Sequence, residues 1–187
     1  IGVRIGQYLE ARQTKEEREK LARYQHLLME STQGGIYGVD PQGRCTFINR
    51  AGAALLGYTP EELVGQDLHH LTHHARADGS PYPVEECPVS RTLQTGGSAR
   101  VDDEVFWRKD GTVFSAGYVC SPIKEGDAVS GAVVTFANIT ERQQAQRDLA
   151  TAKERAEKAM KEKTSILASV NAFFIGLFWG LTLSGLE

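Results

Sequence analysis

The spacing of apolar and polar positions changes twice along the chain and divides it into three regions. Residues 1–30 carry a thin apolar stripe at helical spacing, interrupted by a polar stretch between Ala11 and Leu21. Residues 31–138 contain short apolar runs separated by turn residues, and residues 139–170 return to helical spacing. Because apolar positions recur every three to four residues in helices and every two in strands, this pattern predicts a helix, a mixed domain and a second helix.

Turn signals divide the central region into short strands and helices. GGIYGV and RCTFIN surround the turn sequence DPQG, which predicts a hairpin. Thr59, Pro60 and Glu62 form the start signal of a short helix. The last three strands are joined by the turns KDG and KEGD, so the fold class is α+β, an antiparallel sheet with helices over one face. The predicted strands are residues 34–39, 44–49, 99–108, 112–123 and 128–138, and the predicted helices are residues 50–58, 59–65 and 83–97.

The second long helix carries a weak heptad repeat. Four of the nine repeating positions are alanine and two are charged, so most layers of a coiled coil would bury little apolar area. Residues 139–170 therefore fit either a loosely packed two-chain coiled coil or a solvated single helix. Residues 1–30 fit either a helix packed on the following domain or a coiled coil. The repeating positions are Arg142, Ala145, Leu149, Ala152, Ala156, Ala159, Lys163, Ile166 and Val170.

The composition is that of an ordinary globular protein, with 41% apolar and 24% charged residues. The formal net charge of -3 provides no bulk attraction for nucleic acid, so we expect no nucleic-acid partner. The three cysteines are odd in number and form no CxxC pair. They predict reduced thiols and a cytoplasmic protein.

Three stretches of the central region resemble the PAS domain, a small sensory module of bacterial signalling proteins. They are GGIYGVDPQGRCTFINRAGAALLGYTPEELVG, RKDGTVF and GAVVTFANITERQQAQ. The resemblance assigns residues 27–138 to a PAS-like five-stranded antiparallel sheet, with helices on one face and the last strand in the middle. It also implies that Asp-Ile-Thr ties the sheet to the exit helix; here the sequence is Asn138-Ile139-Thr140. We expect signal relay at Asn138, Thr140 and Arg142, where Asn can form a hydrogen bond but no ion pair.

The flanking helices resemble parts of sensor histidine kinases. Residues 1–26 are similar to the last helix of a GAF domain, and residues 139–170 resemble the helix that enters the dimerisation and phosphoacceptor domain. In that family a phosphoacceptor His-Glu follows, whereas here Asn171 is followed by AFFIGLFWG, so we expect no kinase activity from this chain itself. The resemblance implies the sensory part of a two-component sensor histidine kinase, which relays ligand or partner state through a homodimeric linker helix. The alternatives are a ligand-free PAS dimerisation module and a haem-binding gas or redox sensor.

Residues 171–187 form an apolar tail that the kinase resemblance does not explain. Residues 166–186 carry no charge and are long enough to span a bilayer, and Gly176 and Gly180 form a GxxxG pattern typical of packed membrane helices. A truncated or diverted reading frame would explain the tail without a membrane, and so would packing against a second chain or the PAS surface. The sequence allows membrane attachment only through residues 166–186.

Four of the five histidines lie together in DLHHLTHHARADGSPYPVEECP. On a helix His69 and His73 would share one face, and together with Cys87 they form a candidate metal site, most simply for zinc. His70 and His74 would share the next face, and they are candidate haem ligands because a histidine in this part of some PAS domains binds haem. The alternative is a polar loop in which the histidines bond backbone carbonyls.

Other chemistry is only weakly indicated. The Asn-Cys-Arg-Phe-Leu stretch of flavin-binding relatives is absent, so we do not expect flavin. A small organic ligand between sheet and helices stays open, although an apolar stripe of this kind is more often plain core. Cys87 has no basic neighbour in the sequence, which predicts a poor nucleophile. Asp102, Asp103 and Glu104 are predicted to form a solvated strand edge.

Overall fold

The computed structural model describes the backbone of residues 2–183 and the side chains of residues 12–171. The chain divides into two units, residues 1–140 and residues 141–187. The elements in chain order are α1 (Gly2–Glu30), β1 (Gly35–Val39), β2 (Cys45–Ile48), α2 (Arg50–Leu56), α3 (Pro60–Leu63), α4 (Leu68–Thr72), α5 (Pro88–Thr95), β3 (Ala99–Trp107), β4 (Val113–Glu125), β5 (Ala128–Asn138) and α6 (Thr140–Leu183).

The five predicted strands form one antiparallel sheet in the order β2-β1-β5-β4-β3. The last strand, β5, lies in the middle and pairs with β1 on one side and β4 on the other. Both observations confirm the predicted α+β fold. The three predicted helices are present, and α4 is an additional short helix within the histidine-rich segment.

Local signals in the sequence account for where the short helices begin and end. The side chain of Asn49 accepts a hydrogen bond from Gly52 N and so caps α2, and Gly57 ends that helix with a φ of 78°. Thr59 and Glu62 form the predicted capping box of α3, in which Thr59 N donates to Glu62 Oε2 at 3.0 Å. These caps fix the path of the chain from β2 to the histidine-rich segment.

The core lies between the sheet and helices α2–α5. Alternate residues of β4 and β5 point towards the helices, because successive side chains of a strand face opposite sides of the sheet. All three cysteines are buried free thiols. The core side chains include Tyr37, Leu56, Leu63, Phe106, Phe114, Tyr118, Cys120, Val134 and Phe136.

Two glycines allow the central strand pair to pack closely. A Cβ on Gly131 of β5 would lie 2.4 Å from the carbonyl oxygen of Val39, and one on Gly35 of β1 would lie 2.1 Å from the ring of Phe136. Neither distance is compatible with a side chain. The pairing of β1 with β5 therefore depends on residues without side chains at these positions.

Both long helices expose apolar side chains. On α1 the exposed residues Leu21, Tyr24 and Leu27 belong to the predicted stripe, and on α6 the heptad residues Leu149 and Ile166 are exposed. At the positions whose side chains are described, both stripes thus carry apolar residues on an exposed face.

Within the described part of the chain, no helix is long and apolar enough to cross a membrane. The side chains of residues 172–187 lie outside the described residues. Most of the uncharged segment 166–186, and nearly all of the apolar tail 171–187, therefore lies outside the residues whose side chains are described.

Candidate functional site

The histidine-rich segment folds as a short helix followed by a loop that packs against β3. Asp67 caps α4 by accepting a hydrogen bond from His70 N at 3.2 Å, and His73 N donates to His69 O at 3.0 Å at the other end. The helical turn places His69 and His73 on one face, with their ring centroids 5.8 Å apart. This is the placement that the spacing of the two histidines predicts.

Cys87 reaches the same place from the other end of the loop. A turn in which Cys87 N donates to Val84 O at 3.2 Å precedes it, and Pro88 starts α5 immediately after it. Its buried Sγ lies 3.5 Å from His73 Nδ1. One ligand atom each from His69, His73 and Cys87 lies within 4.8 Å of the other two. The structure thus brings together the three residues of the candidate metal site.

Glu104 of β3 joins this cluster, which the sequence does not predict. Its carboxylate accepts hydrogen bonds from Tyr82 Oη at 2.7 Å and from Tyr118 Oη at 2.6 Å. His73 Nε2 lies 2.6 Å from Glu104 Oε2, although the direction of this contact is not that of a hydrogen bond. The predicted solvated edge is therefore wrong for Glu104. Glu104 lies two residues before the buried Phe106 on β3, so alternation along the strand places both side chains on the inner face of the sheet.

The groups of this cluster shift one another's pKa. Burial opposes the thiolate of Cys87, but the imidazoles around the sulfur, including that of His73 at 3.5 Å, outweigh burial and lower the pKa of Cys87 to about 6. Burial also opposes the charged form of His73, yet Cys87 and Glu104 raise its pKa to about 9. Burial alone would raise the pKa of Glu104, but His73 and the two tyrosines outweigh burial, so the pKa of Glu104 is lowered. At neutral pH these directions favour a thiolate, an imidazolium and a carboxylate in a row.

The expectation that Cys87 has no basic neighbour is therefore wrong. The two imidazoles lie 14 and 18 residues away along the chain, and the fold brings them to the sulfur. No local sequence signal reports such a contact. Cys45 and Cys120 are buried in the core, and burial raises the pKa of both thiols.

His70 and His74, the candidate haem ligands, lie outside this cluster. His70 is exposed and contacts Asp67 through Nδ1 at 2.9 Å. His74 is exposed and its ring lies against that of Trp107, with the centroids 5.3 Å apart. Helix α4 ends at Thr72, so the two rings do not share a helical face. The fold does not bring them together as a ligand pair.

A cavity of about 120 Å³ lies beside the cluster, lined by His69, His73 and Cys87 together with Tyr37 and Leu68 among others. Pockets for drug-sized ligands typically measure about 300–1,000 Å³. The cavity is thus of a size for water, an ion or a very small solute.

The predicted relay residues lie where the sheet ends. Asn138 Oδ1 accepts a hydrogen bond from Thr140 N at 3.0 Å. Ser115 of β4 forms two hydrogen bonds with the segment Asn138–Thr140. Its N–H donates to Thr140 Oγ1 at 3.0 Å, and its carbonyl accepts from Ile139 N at 2.8 Å. Arg142 is exposed in the first turn of α6. The Asn138–Thr140 link is thus held to β4 as well as to β5.

Comparison with known proteins supports the assignment of the fold. The PAS fold family matches residues 23–139. Solved PAS domains from an HTR-like protein of Haloarcula marismortui and from a protein of Colwellia psychrerythraea superpose with TM-scores of 0.54 and 0.53, at 16% and 20% identity. They cover 68% and 65% of this chain and 99% and 98% of their own.

Two curated relatives are signalling proteins. Two-component system protein A of Emericella nidulans is 29% identical over 73% of this chain, and the signal transduction histidine-protein kinase AtoS of Escherichia coli is 28% identical over 67% of it. The chain spans 19% of the length of each relative. The central region therefore resembles the PAS domains of two-component sensor kinases, and the chain belongs to the PAS family.

Proposed function

We propose that this chain is the sensory module of a two-component sensor histidine kinase, and that it relays ligand or partner state through a homodimeric linker helix. The observation that carries the proposal is the Asn138–Thr140 link, in which the central strand leads directly into α6. A change in the packing of the core reaches β5 and β4 first. Both strands bond this link, so such a change also alters the start of the helix.

The exposed stripes support the dimeric part of the proposal. The apolar residues of the α6 heptad repeat, Leu149, Ile166 and Val170, are exposed in the single chain, and so are the described apolar residues of the α1 stripe. Apolar side chains at heptad spacing gain free energy when a second helix covers them. Since most other heptad positions are alanine, the gain is small, and a small change at the link can shift the packing.

The Asn138→Ala variant tests the relay. This substitution removes the side-chain acceptor of Thr140 N at the start of α6 and leaves the backbone pairing of β5 intact. Loss of one cap costs about 1 kcal/mol, so backbone amides of residues 141–146 should exchange hydrogen about fivefold faster. Amides in the middle of β4 and β5 should keep their rates.

The matched control is Asp127→Ala, an exposed substitution in the turn that precedes β5, away from the link. We expect it to leave exchange in residues 141–146 unchanged. Equal acceleration in the sheet and in the helix of the Asn138→Ala variant would show that the link is ordinary structure, and the relay would be abandoned.

The second candidate function is a PAS interaction module that senses no organic ligand. The small size of the cavity favours it over a sensor for a larger organic molecule. Native mass spectrometry of the purified chain distinguishes the two, because an organic ligand retained by the fold adds its mass. A chain mass without any adduct supports the interaction module.

A further inference from the structure

The cluster of His69, His73 and Cys87 has the donor spacing of a tetrahedral metal site. With metal–sulfur and metal–nitrogen bonds of about 2.3 and 2.0 Å, a tetrahedral site separates its sulfur and nitrogen ligands by about 3.5 Å. Cys87 Sγ and His73 Nδ1 are 3.5 Å apart. The third ligand atom, from His69, lies within 4.8 Å of both. Small side-chain movements would bring all three donors to bonding distance of one ion.

The contacts of His69 leave its inner nitrogen free to bind a metal. His69 Nε2 lies 2.9 Å from the carbonyl oxygen of Tyr82, which can only accept a hydrogen bond, so Nε2 carries the proton. In the neutral ring Nδ1 then holds a lone pair. That atom is buried and has no hydrogen-bond partner. A histidine that donates its outer N–H to a backbone carbonyl and directs the other nitrogen inward has the usual surroundings of a metal ligand.

His73 has a corresponding outer partner in Glu104. The Glu104 carboxylate lies 2.6 Å from His73 Nε2 as an ion-pair contact, and His73 Nδ1 lies 3.5 Å from Cys87 Sγ. Tyr82 and Tyr118 hold the same carboxylate through two short hydrogen bonds. A carboxylate, a histidine and a metal in a row is a common arrangement, in which the carboxylate orients the ring. On this basis Glu104 is a positioning residue and not a ligand.

The donor types select the class of metal. Two imidazoles and one thiolate suit borderline ions such as Zn²⁺ and Co²⁺ and exclude the oxygen-seeking Mg²⁺ and Ca²⁺. Three protein ligands leave one tetrahedral position unfilled. The cavity beside the cluster has room there for a water molecule or a small solute.

We propose that His69, His73 and Cys87 form a three-ligand site for a borderline transition-metal ion such as Zn²⁺, with the fourth position open to the cavity and His73 positioned by Glu104. On binding, the ion replaces the proton that lies between His73 and Cys87. The site stands on its own geometry and does not depend on the relay through Asn138.

Cobalt titration of the full chain tests the site. We expect Co²⁺ to produce the near-ultraviolet absorption of a cobalt–thiolate bond, at one ion per chain, and Zn²⁺ to abolish it by competition. Cys87→Ser should remove the thiolate band, and His69→Gln should weaken Co²⁺ binding at least tenfold. The matched controls Cys120→Ser and His70→Gln should change neither the band nor the affinity. Equal losses in the Cys87→Ser and Cys120→Ser variants would overturn the proposal.

Glu104→Gln separates positioning from ligation. If Glu104 positions His73, the Glu104→Gln substitution should lower the Co²⁺ affinity by about 10–100-fold while the cobalt–thiolate band stays at the same wavelength. Unchanged affinity in a folded Glu104→Gln protein would remove Glu104 from the site.

A measurement on the unmodified chain keeps the test independent of variants that fail to fold. Iodoacetamide labelling followed by peptide mass spectrometry reports the alkylation rate of each cysteine, with Cys45 and Cys120 as internal references. Bound Zn²⁺ should slow alkylation of Cys87 at least tenfold and leave the references unchanged. Rapid alkylation of Cys87 at the same rate with and without Zn²⁺ would identify the cluster as a reactive thiol instead of a metal site.

Discussion

Asn49 connects three segments of the fold through a single buried side chain. It is 2% exposed, and its Oδ1 accepts hydrogen bonds from Ile36 N at 2.8 Å and Gly52 N at 2.9 Å. Its Nδ2 lies 3.0 Å from the carbonyl oxygens of Met29 and Gly34. The end of α1, the start of β1 and the first turn of α2 therefore share one amide group.

We predict that Asn49→Ala lowers the free energy of unfolding by about 2–4 kcal/mol, because it removes a helix cap and leaves several buried groups without partners. Urea unfolding of the variant measures this change. Asn138→Ala is the matched control, since it removes one exposed hydrogen bond and should cost about 1 kcal/mol or less. Equal losses in the two variants would contradict the central role of Asn49.

At the scale of elements, the pairing of β1 with β5 depends on the bare backbone of Gly131. We predict that Gly131→Ala destabilises the protein by about 1–3 kcal/mol, because the new methyl group would meet a carbonyl oxygen of the neighbouring strand. Gly97→Ala is the control, because its Cβ would meet only Thr95 Oγ1 at 3.4 Å. We expect the control to be neutral or slightly stabilising in thermal unfolding. Unchanged thermal stability of the Gly131→Ala variant would show that β1 and β5 can move apart without loss of stability.

Local chemistry makes most elements of the fold predictable from the sequence. The turn residues around Gly43 and the capping box at Thr59 act within a few positions, so their effect is visible in the sequence. The sequence does not predict the short helix α4, because only Leu68 and Thr72 of its five residues are buried and they give too little periodicity.

The candidate site was predictable only in part. The spacing of His69 and His73 gives their shared face, whereas the contacts of Glu104 with Tyr82 and Tyr118 join residues 22 and 14 positions apart along the chain. The tertiary fold supplies these contacts, and no spacing along the chain encodes them. Alternation along β3 indicates that Glu104 shares the inner face of the sheet with Phe106, but it does not indicate which side chains Glu104 contacts there.

At the scale of the whole molecule, the proposed dimer predicts a specific effect of charge on the α6 repeat. Leu149 and Ile166 are 71% and 64% exposed in the single chain. We predict that the unmodified chain sediments as a dimer, and that Leu149→Lys with Ile166→Lys weakens association at least about 100-fold, because two apolar layers are lost from the interface.

The control for this prediction adds the same two charges beside the repeat. Ala150→Lys with Ala168→Lys places them at exposed positions of α6 outside the heptad seam. Analytical ultracentrifugation should find this variant as dimeric as the unmodified chain. Dissociation of both variants to the same extent would show that net charge, and not the heptad repeat of α6, determines association.

The central place of β5 also has a consequence for how the protein folds during synthesis. Its partner β1 lies about a hundred residues earlier in the chain, so the middle of the sheet is completed last. At translation rates of about 5–20 residues per second, the edge of β1 that pairs with β5 stays unpaired for about 5–20 s until β5 is synthesised. Such non-local pairing slows folding. We expect chaperones to bind the growing chain at this unpaired edge of β1.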